Sequence, residues 1–268
     1  MLLQDKLSLL KRKIYGYKSC VVAFSGGQDS ALLLKICSQV FEPDKLLAVT
    51  AVSATYPNAE LGKARILAKE IGVKLKVIRT AELGNKKFSS NPVKRCYFCK
   101  KELFTKLIKI AKQNKLNFVL EASNITDNSD YRPGSIAKQE LKIESPLVEA
   151  GFSKEDIRNL SRKLGLSSWN KPSLACLASR IPYGTKITGG LLRRIDRAEE
   201  YLSGFGFKQV RLRYHNGLCR IEVEKNDIRR LLNNRRQIVK KLKDLGYNYI
   251  TLDLEGYRQG SLNEVVKR

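Results

Sequence analysis

Long apolar runs are absent from this sequence, and none approaches the roughly 18 residues that a membrane-spanning helix requires. Residues 1–17 are amphipathic, and they lack the unbroken apolar stretch and small-residue cleavage site of a secretory signal. Low-complexity segments and internal repeats are also missing, while a hydrophobic content of 43% suffices for a packed core. The sequence therefore predicts a folded cytoplasmic protein that has no membrane partner.

Acidic residues are scarce, because 26 Asp and Glu stand against 51 Lys and Arg and leave a net charge of +25. Such an excess favours an anionic substrate or partner, such as a nucleotide, a phosphate or a nucleic acid. The basic residues are spread along the chain, so general lysine usage accounts for the charge equally well. No RNA-binding module is visible, and the charge alone does not establish a nucleic-acid partner.

Histidine is nearly absent, since His215 is the single one, but the chain has six cysteines. Without an export signal, these cysteines are not expected to form a disulfide framework. Three of them lie in apolar runs, which predicts positions in the core: Cys20, Cys37 and Cys219. The other three have polar neighbours and need a separate explanation: Cys96, Cys99 and Cys176.

The first part of the chain alternates strands with helices. Buried strands are predicted at residues 19–24, 45–53, 74–79 and 117–121, with helices at 30–40, 58–71 and 99–113 between them. This order predicts an α/β fold with a doubly wound parallel sheet, in a domain of residues 1–183. Residues 184–268 combine helices with strands of alternating polarity, which predicts a small C-terminal α+β domain.

The most informative segment is FSGGQDSALLLK, residues 24–35, in which a buried strand leads through two glycines into a helix. Adjacent glycines allow backbone conformations that turn N–H groups toward an anion, and the start of the helix adds further N–H groups and a positive dipole end. Ser25 and Ser30 can donate hydroxyls to phosphate. Asp29 can cap the helix or help to hold Mg²⁺.

This segment is neither a Walker motif, which needs GK[ST], nor a GxGxxG dinucleotide motif. The string SGGxDS after a strand resembles the PP-loop of ATP pyrophosphatases, which split ATP between its α and β phosphates and pass AMP to the substrate. In that comparison Gly26 and Gly27 bind phosphate, and Ser53 at the end of the second strand lies near the adenosine. An ordinary strand-to-helix turn is the alternative.

Cys96 and Cys99 form a CxxC at the start of a predicted helix, and Cys176 follows in a second polar segment. A redox pair is one interpretation, but the surrounding pattern is not that of thioredoxin. A zinc site is another, with His215 completing a set of four. Three cysteines can also hold a [4Fe–4S] cluster that leaves one iron open to bind a further ligand, and this interpretation is favoured.

Over its whole length the sequence resembles the LarE sulfur transferases, PP-loop enzymes that help to make the nickel-pincer nucleotide cofactor. The strings that carry the resemblance are FSGGQDS, Asp127–Gly134, Trp169–Lys171, Cys176 with Ser179–Gly184, Arg211–Asn216 and Thr251–Arg258. The resemblance implies that ATP and Mg²⁺ activate a carboxylate of a pyridinium dicarboxylic acid mononucleotide. A sulfur nucleophile then displaces AMP and leaves a thiocarboxylate. It also implies a homo-oligomer, by family resemblance a hexamer.

Family members differ in their sulfur source. Some give up the sulfur of a single cysteine at the position of Cys176, which becomes dehydroalanine. Others add a CxxC and resemble cluster enzymes, and Cys96 and Cys99 place this sequence with them. The resemblance therefore implies a [4Fe–4S] cluster on Cys96, Cys99 and Cys176, supplied by a sulfide donor that the sequence does not identify.

Further site residues follow from position in the chain. Asp127 and Arg132 come after the fourth strand, where open α/β sheets bind ligands, although a solvated polar loop is the alternative. The pair Arg211 and Arg213 alternates on one strand, so both face one side and, with Arg258, can bind the substrate phosphate. A charged outer face of the sheet explains these arginines as well.

One further acidic residue is implied by the family. Glu199 corresponds to a position near the reaction site, but Glu200 beside it leaves the assignment between two residues.

Three other functions remain open at this level. A PP-loop tRNA 2-thiolation enzyme also combines the loop with three cysteines and a cluster, and the basic charge suits RNA. A non-catalytic nucleotide-binding or metal-binding scaffold would release no pyrophosphate. An amide-forming PP-loop synthetase would leave the three cysteines without a role.

Overall fold

The computed structural model describes residues 1–129, 133–172 and 175–265. The chain forms two compact units. Unit 1 comprises Met1–Ser53, Ala59–Glu82 and Lys94–Leu174, and unit 2 comprises Ala54–Asn58, Leu83–Val93 and Ala175–Arg268. The last segment of unit 2 thus begins at Ala175, before the predicted domain boundary at residues 183/184. Unit 2 also includes two short segments from the first half of the chain.

Unit 1 is built on a four-stranded parallel sheet with the order β3-β2-β1-β4. Its strands are β1 (Cys20–Ala23), β2 (Leu46–Val52), β3 (Leu75–Arg79) and β4 (Phe118–Leu120). Its helices are α1 (Leu3–Gly16), α2 (Gln28–Val40), α3 (Asn58–Ile71), α5 (Arg95–Gln113), α6 (Gly134–Glu140), α7 (Pro146–Glu149) and α8 (Lys154–Lys163). The parallel α/β sheet that the sequence predicts is confirmed.

Both faces of this sheet are buried, which explains why its central strands are apolar throughout rather than alternating. In β1, Cys20 and Val22 belong to one hydrophobic cluster, together with residues of α1, α2 and α8. Val21, between them, belongs to a second cluster on the opposite face, together with residues of α5. Successive side chains of a strand point to opposite faces, so one apolar run fills two layers.

Two helix starts in unit 1 matter for the site. Helix α5 begins at Arg95 rather than at the predicted Cys99, so both cysteines of the CxxC lie inside it. Helix α8 begins with a capping box in which the Ser153 side chain accepts from the Asp156 N–H and the Asp156 carboxylate accepts from the Ser153 N–H. This reciprocal pair fixes the first turn of α8, which carries Lys154.

Unit 2 contains a three-stranded sheet with the order β5-β6-β7. Its strands are β5 (Val210–His215), β6 (Leu218–Val223) and β7 (Tyr249–Leu252), and its helices are α4 (Lys86–Ser89), α9 (Gly189–Ser203), α10 (Ile228–Asn233) and α11 (Arg235–Asp244). Strands β5 and β6 are antiparallel, as their alternating pattern predicts, whereas β7 pairs parallel with β6. Within the described ranges, no helix has both the length and the apolar character needed to cross a bilayer.

Candidate active site

The turn between β1 and α2 has a backbone that only glycine can supply. Gly26 has φ +73°, and a Cβ added to it would lie 2.9 Å from the Cβ of Ala64 on α3. The neighbouring serines close the turn: Ser25 Oγ accepts from the Gly27 N–H at 3.2 Å and lies 3.1 Å from Ser30 Oγ. We call residues 25–30 the phosphate loop.

Helix α2 begins at this loop with its N-terminal N–H groups directed to it. Gly27 is the N-cap residue, and no side chain caps the helix. The first turn of a helix carries unpaired N–H donors and a positive dipole end, which together favour a bound phosphate. The geometry of the loop and of the start of α2 is therefore suited to an anionic group such as a phosphate.

Asp29, in the first turn of α2, is held by a cation that the sequence analysis missed. Lys154 Nζ lies 2.6 Å and 2.7 Å from the two Asp29 carboxylate oxygens, and Asn124 Nδ2 lies 3.4 Å from one of them. Lys154 is the first residue of α8, which is distant in sequence from the loop. No local motif reports such a pair, so only the fold identifies it.

A second lysine contacts the phosphate loop from the string Trp169–Lys171. Lys171 Nζ donates to the Gly26 carbonyl at 2.9 Å and lies 2.7 Å from a carboxylate oxygen of Glu60. Burial opposes ionisation of Glu60, but Lys171 and Lys63 outweigh it and lower the Glu60 pKa below its ordinary value. The Gln28 side chain also donates to the Trp169 carbonyl. This string therefore contacts the phosphate loop through Lys171 and the Trp169 carbonyl.

The remaining predicted residues of unit 1 have local partners. Ser53 donates its hydroxyl to the buried Glu82, and the Asp127 carboxylate accepts from the Asn124 N–H at 3.2 Å. Asp127 thus shapes the turn that positions Asn124 beside Asp29. Arg132, predicted to contact the nucleotide, lies outside the described residues.

Asp29 is the residue whose chemistry fits Mg²⁺, because this ion prefers carboxylate oxygens and usually keeps substrate phosphates and water as its other ligands. Asp29 belongs to the loop that would bind those phosphates and lies in the first turn of α2. In the structure both Asp29 oxygens contact Lys154, which neutralises the carboxylate. A bound Mg²⁺ would replace Lys154 as the cation at this carboxylate.

This arrangement predicts that Lys154→Ala weakens ATP binding mainly when Mg²⁺ is absent. Without Lys154, the Asp29 carboxylate would face the phosphates uncompensated, and we expect a loss of about 1–2 kcal/mol, typical of a charge-assisted contact. Mg²⁺ should restore most of the affinity. Calorimetric titration with a non-hydrolysable ATP analogue measures both states, and Lys163→Ala, an exposed lysine at the other end of α8, is the matched control. An equal loss with and without Mg²⁺ would contradict the prediction.

Cys96 and Cys99 lie in the first turns of α5, three residues apart and both half-buried. Residues at this spacing share one face of a helix, so the pair supplies two neighbouring thiols. Cys176 belongs to unit 2 and is exposed. Within the described part of the chain, no group of three or more histidine, cysteine or carboxylate residues is arranged to hold a metal ion.

The main chain at Cys176 is held firmly although its side chain is exposed. The Cys176 carbonyl accepts from the Ser179 N–H at 3.0 Å, from Ser179 Oγ at 2.8 Å and from Arg180 Nη1 at 3.0 Å. Arg180 is 2% exposed and forms a two-pronged ion pair with Glu199 on α9. Although burial acts in the opposite direction, Glu199 raises the Arg180 pKa above its ordinary value. The sequence suggests Arg180 only as a basic neighbour that favours the cysteine thiolates, and its pairing with Glu199 is visible only in the structure.

Arg213 is largely committed within unit 2. Its Nε and Nη2 pair with the buried Glu222, each at 2.9 Å, while Nη2 also donates to Ser261 and Nη1 donates to the Ser179 carbonyl at 2.7 Å. A guanidinium has five N–H bonds, and the contacts to described residues use four of them. The second N–H of Nη1 is therefore the one that a ligand could bind.

Arg211 and Arg258 have contrasting environments. The Arg211 guanidinium lies over the Tyr257 ring, and burial together with the charge of Arg180 lowers the Arg211 pKa below its ordinary value. An added anion would relieve both effects. Arg258 faces Asp253, Glu255 and Glu264, with the closest oxygen 2.5 Å away on Glu255.

Comparison with known proteins identifies the family of this chain. A family model described as NAD synthase matches residues 3–121, which include the phosphate loop. The chain is 36% identical to the pyridinium-3,5-bisthiocarboxylic acid mononucleotide synthase of Lactiplantibacillus plantarum, over 99% of this chain and 96% of that protein.

Two further relatives extend over the full length. An uncharacterised protein of Synechocystis is 39% identical, with 100% of both chains covered. An uncharacterised protein of Methanocaldococcus jannaschii is 31% identical over 96% of this chain and 99% of its own. With a phosphate loop on a parallel sheet and full-length similarity to a sulfur-inserting synthase, the chain belongs to the LarE family of PP-loop enzymes and is an ATP-dependent sulfurtransferase.

Proposed function

We propose that this enzyme uses ATP to adenylate a carboxylate of a pyridinium dicarboxylic acid mononucleotide and converts that carboxylate into a thiocarboxylate, as a step in nickel-pincer nucleotide synthesis. The observation that carries the proposal is the phosphate loop within a chain that resembles the Lactiplantibacillus synthase over almost its full length. The product named for that relative has two thiocarboxylate groups, so the proposed substrate is the corresponding dicarboxylate.

The chemical problem is that a carboxylate has no good leaving group for attack by sulfur. A carboxylate oxygen of the substrate attacks the α-phosphorus of ATP, and the bond to the β-phosphate oxygen breaks to release pyrophosphate. Charge develops on the departing pyrophosphate, where the N–H groups of the loop, Lys154 and Mg²⁺ held by Asp29 would stabilise it. A sulfur nucleophile then attacks the carbonyl carbon, and AMP leaves with the former carboxylate oxygen.

Unit 2 offers cations for the phosphate of the mononucleotide. Arg211 is the foremost candidate, because it is partly desolvated and its pKa is already lowered, so a bound phosphate would stabilise it. Arg213 contributes its one remaining N–H. Arg258 would exchange some of its carboxylate partners for the phosphate.

Substitution of Arg211 and Arg213 by alanine should separate binding from stability. Each change should weaken mononucleotide binding by about 1–3 kcal/mol while leaving ATP binding nearly unchanged. Arg213→Ala should also destabilise unit 2 by about 3 kcal/mol, because Glu222, which is 0% exposed, loses its two-pronged partner and keeps Arg220 at 3.2 Å and a long contact with Ser261 at 3.5 Å. Arg211→Ala should cost less stability. Calorimetric titration and thermal unfolding measure the two effects, and equal losses for both ligands would contradict the division of roles.

The sulfur is proposed to reach the substrate through a [4Fe–4S] cluster held by Cys96, Cys99 and Cys176. Thiolates are the ligands that such clusters use, and the Cys96–Cys99 spacing supplies two of them on one helix face. When bound, the cluster would supply sulfide to the activated carbonyl carbon. The alternative is that Cys176 gives up its own sulfur and becomes dehydroalanine.

The direct test is to incubate the anaerobically purified protein with ATP, Mg²⁺, sulfide and the pyridinium dicarboxylate mononucleotide. We expect pyrophosphate release that depends on the mononucleotide, and a product whose mass shows one oxygen replaced by sulfur. A protein that releases no pyrophosphate with this substrate would refute the proposal. RNA that copurifies and stimulates pyrophosphate release would instead favour tRNA thiolation.

A further inference from the structure

The residues around Cys176 form a short turn whose main chain is locked by buried groups. We call residues 175–180 the Cys176 turn. The Leu177 N–H donates to the Thr55 carbonyl at 2.8 Å, and the side chains of Leu177 and Ala178 are buried. Because the Cys176 carbonyl has three donors, the backbone of this residue has little freedom, and the exposed side chain moves mainly by rotation about its own bonds.

Arg180 is the centre of this arrangement. Its Nη1 donates to the Ala175 carbonyl at 2.8 Å, to the Cys176 carbonyl at 3.0 Å and to Ser179 Oγ at 3.0 Å. Among the described residues whose side chains are fully buried, Arg180 has the largest volume. A buried guanidinium is costly unless its charge is paired and its N–H groups are bonded, so this one depends on its partners.

Glu199 supplies the pairing charge and connects the turn to the sheet of unit 2. Its two oxygens accept from Arg180 Nε at 2.9 Å and Arg180 Nη2 at 2.8 Å, and one of them also accepts from the Leu212 N–H of β5 at 2.8 Å. The neighbouring Glu200 is exposed. The two neighbouring glutamates thus differ in environment, because Glu199 is buried and pairs with Arg180 whereas Glu200 is exposed.

We propose that Arg180, held in place by Glu199, is a positioning residue that fixes the main chain of Cys176 for sulfur transfer. Glu199 thereby acts through Arg180 and not on the substrate. The inference rests on the proposed function only for its reaction step, since the hydrogen-bonded turn exists independently of the chemistry. A carbonyl carbon accepts a nucleophile only along a narrow range of directions, and misplacement by about 1 Å can cost on the order of a hundredfold in rate.

The test compares two neighbouring carboxylates, Glu199→Gln and Glu200→Gln. Glu199→Gln keeps the shape of the side chain but removes the charge that pairs Arg180. We expect single-turnover sulfur transfer to fall by about 10- to 100-fold, while pyrophosphate release stays within about twofold of the parent protein. Hydrogen exchange at the Leu177 and Ser179 amides should accelerate by about tenfold or more, because both N–H groups belong to the turn. Glu200→Gln should change none of these measurements.

A second pair varies the cation. Arg180→Lys keeps the charge but loses the planar fork, so it should reproduce the effects of Glu199→Gln, while Arg197→Lys, an exposed arginine on the same helix as Glu199, should not. Sulfur transfer and amide exchange in Glu199→Gln and Arg180→Lys that match their controls would overturn the inference. Loss of pyrophosphate release along with sulfur transfer would overturn it too, because the pair would then support the whole protein. The amide-exchange result stands even if the parent protein proves inactive on the mononucleotide.

Discussion

Replacing Asp29 or Ser30 with alanine should reduce ATP-dependent pyrophosphate release by at least about 100-fold, while the protein stays folded. Ser30 Oγ lies 3.1 Å from Ser25 Oγ and donates to the Gly27 carbonyl at 3.1 Å, so its loss opens one side of the phosphate loop. Asp29 is the carboxylate that fits Mg²⁺, and its loss also leaves Lys154 without the partner that orients it. Both changes therefore act on the departing pyrophosphate.

Ser38→Ala, at the far end of the same helix, is the matched control, because its hydroxyl donates locally to the Lys35 carbonyl one turn earlier. Pyrophosphate release is measured by a coupled phosphate assay at saturating ATP and mononucleotide, and folding by thermal unfolding. Rates like those of the parent protein in both loop variants would show that the nucleotide phosphates do not bind at this loop.

The cysteine substitutions should give the second large effect. Cys96→Ala, Cys99→Ala and Cys176→Ala should each abolish the iron content and sulfur transfer of anaerobically purified protein, because a cluster with two protein ligands is not expected to be retained. Adenylation should persist, since the phosphate loop and its lysines are untouched. Iron analysis, visible absorption and the pyrophosphate assay measure the three properties.

The control set consists of the three other cysteines, which are fully buried: Cys20→Ala, Cys37→Ala and Cys219→Ala. These variants lose some core packing but should keep iron and activity. The sacrificial alternative predicts a different result. Sulfur transfer would then require Cys176 alone, and mass spectrometry would find dehydroalanine at position 176 after one turnover. A double variant Cys96→Ala/Cys99→Ala that is iron-free, fully active and modified at Cys176 would refute the cluster and support the sacrificial route.

Features encoded by neighbouring residues could be predicted from the sequence. The apolar run of β1, the two glycines and the helix after them lie within one short segment, and together they define the phosphate loop. The antiparallel pair β5–β6 likewise follows from local alternation. The start of α5 was placed too late, because the CxxC was taken to precede the helix, whereas α5 begins at Arg95 and contains both cysteines.

Contacts between distant segments could not be predicted. Lys154 and Lys171 contact the phosphate loop, but they lie in segments of the sequence that contain no phosphate-binding motif. The alternation of Arg211 and Arg213 predicts a shared face but not a shared environment, and the structure commits Arg213 to Glu222 on the neighbouring strand. Likewise, the sequence does not reveal the pairing of Arg180 with Glu199, because nothing in the sequence distinguishes a buried glutamate from an exposed one.

The division of unit 2 among three chain segments has a consequence for how the protein is made. Asn91, completely buried in one of the early segments, donates its side-chain amide to the carbonyls of Pro182 and Thr185, and its own carbonyl accepts from the Gly184 N–H. All of unit 1 precedes these partners in the sequence, so it is synthesised before them. Asn91 therefore cannot complete these hydrogen bonds until the last third of the protein has been synthesised. A gene divided at codon 184 would yield two fragments, neither of which contains the complete set of partners for Asn91.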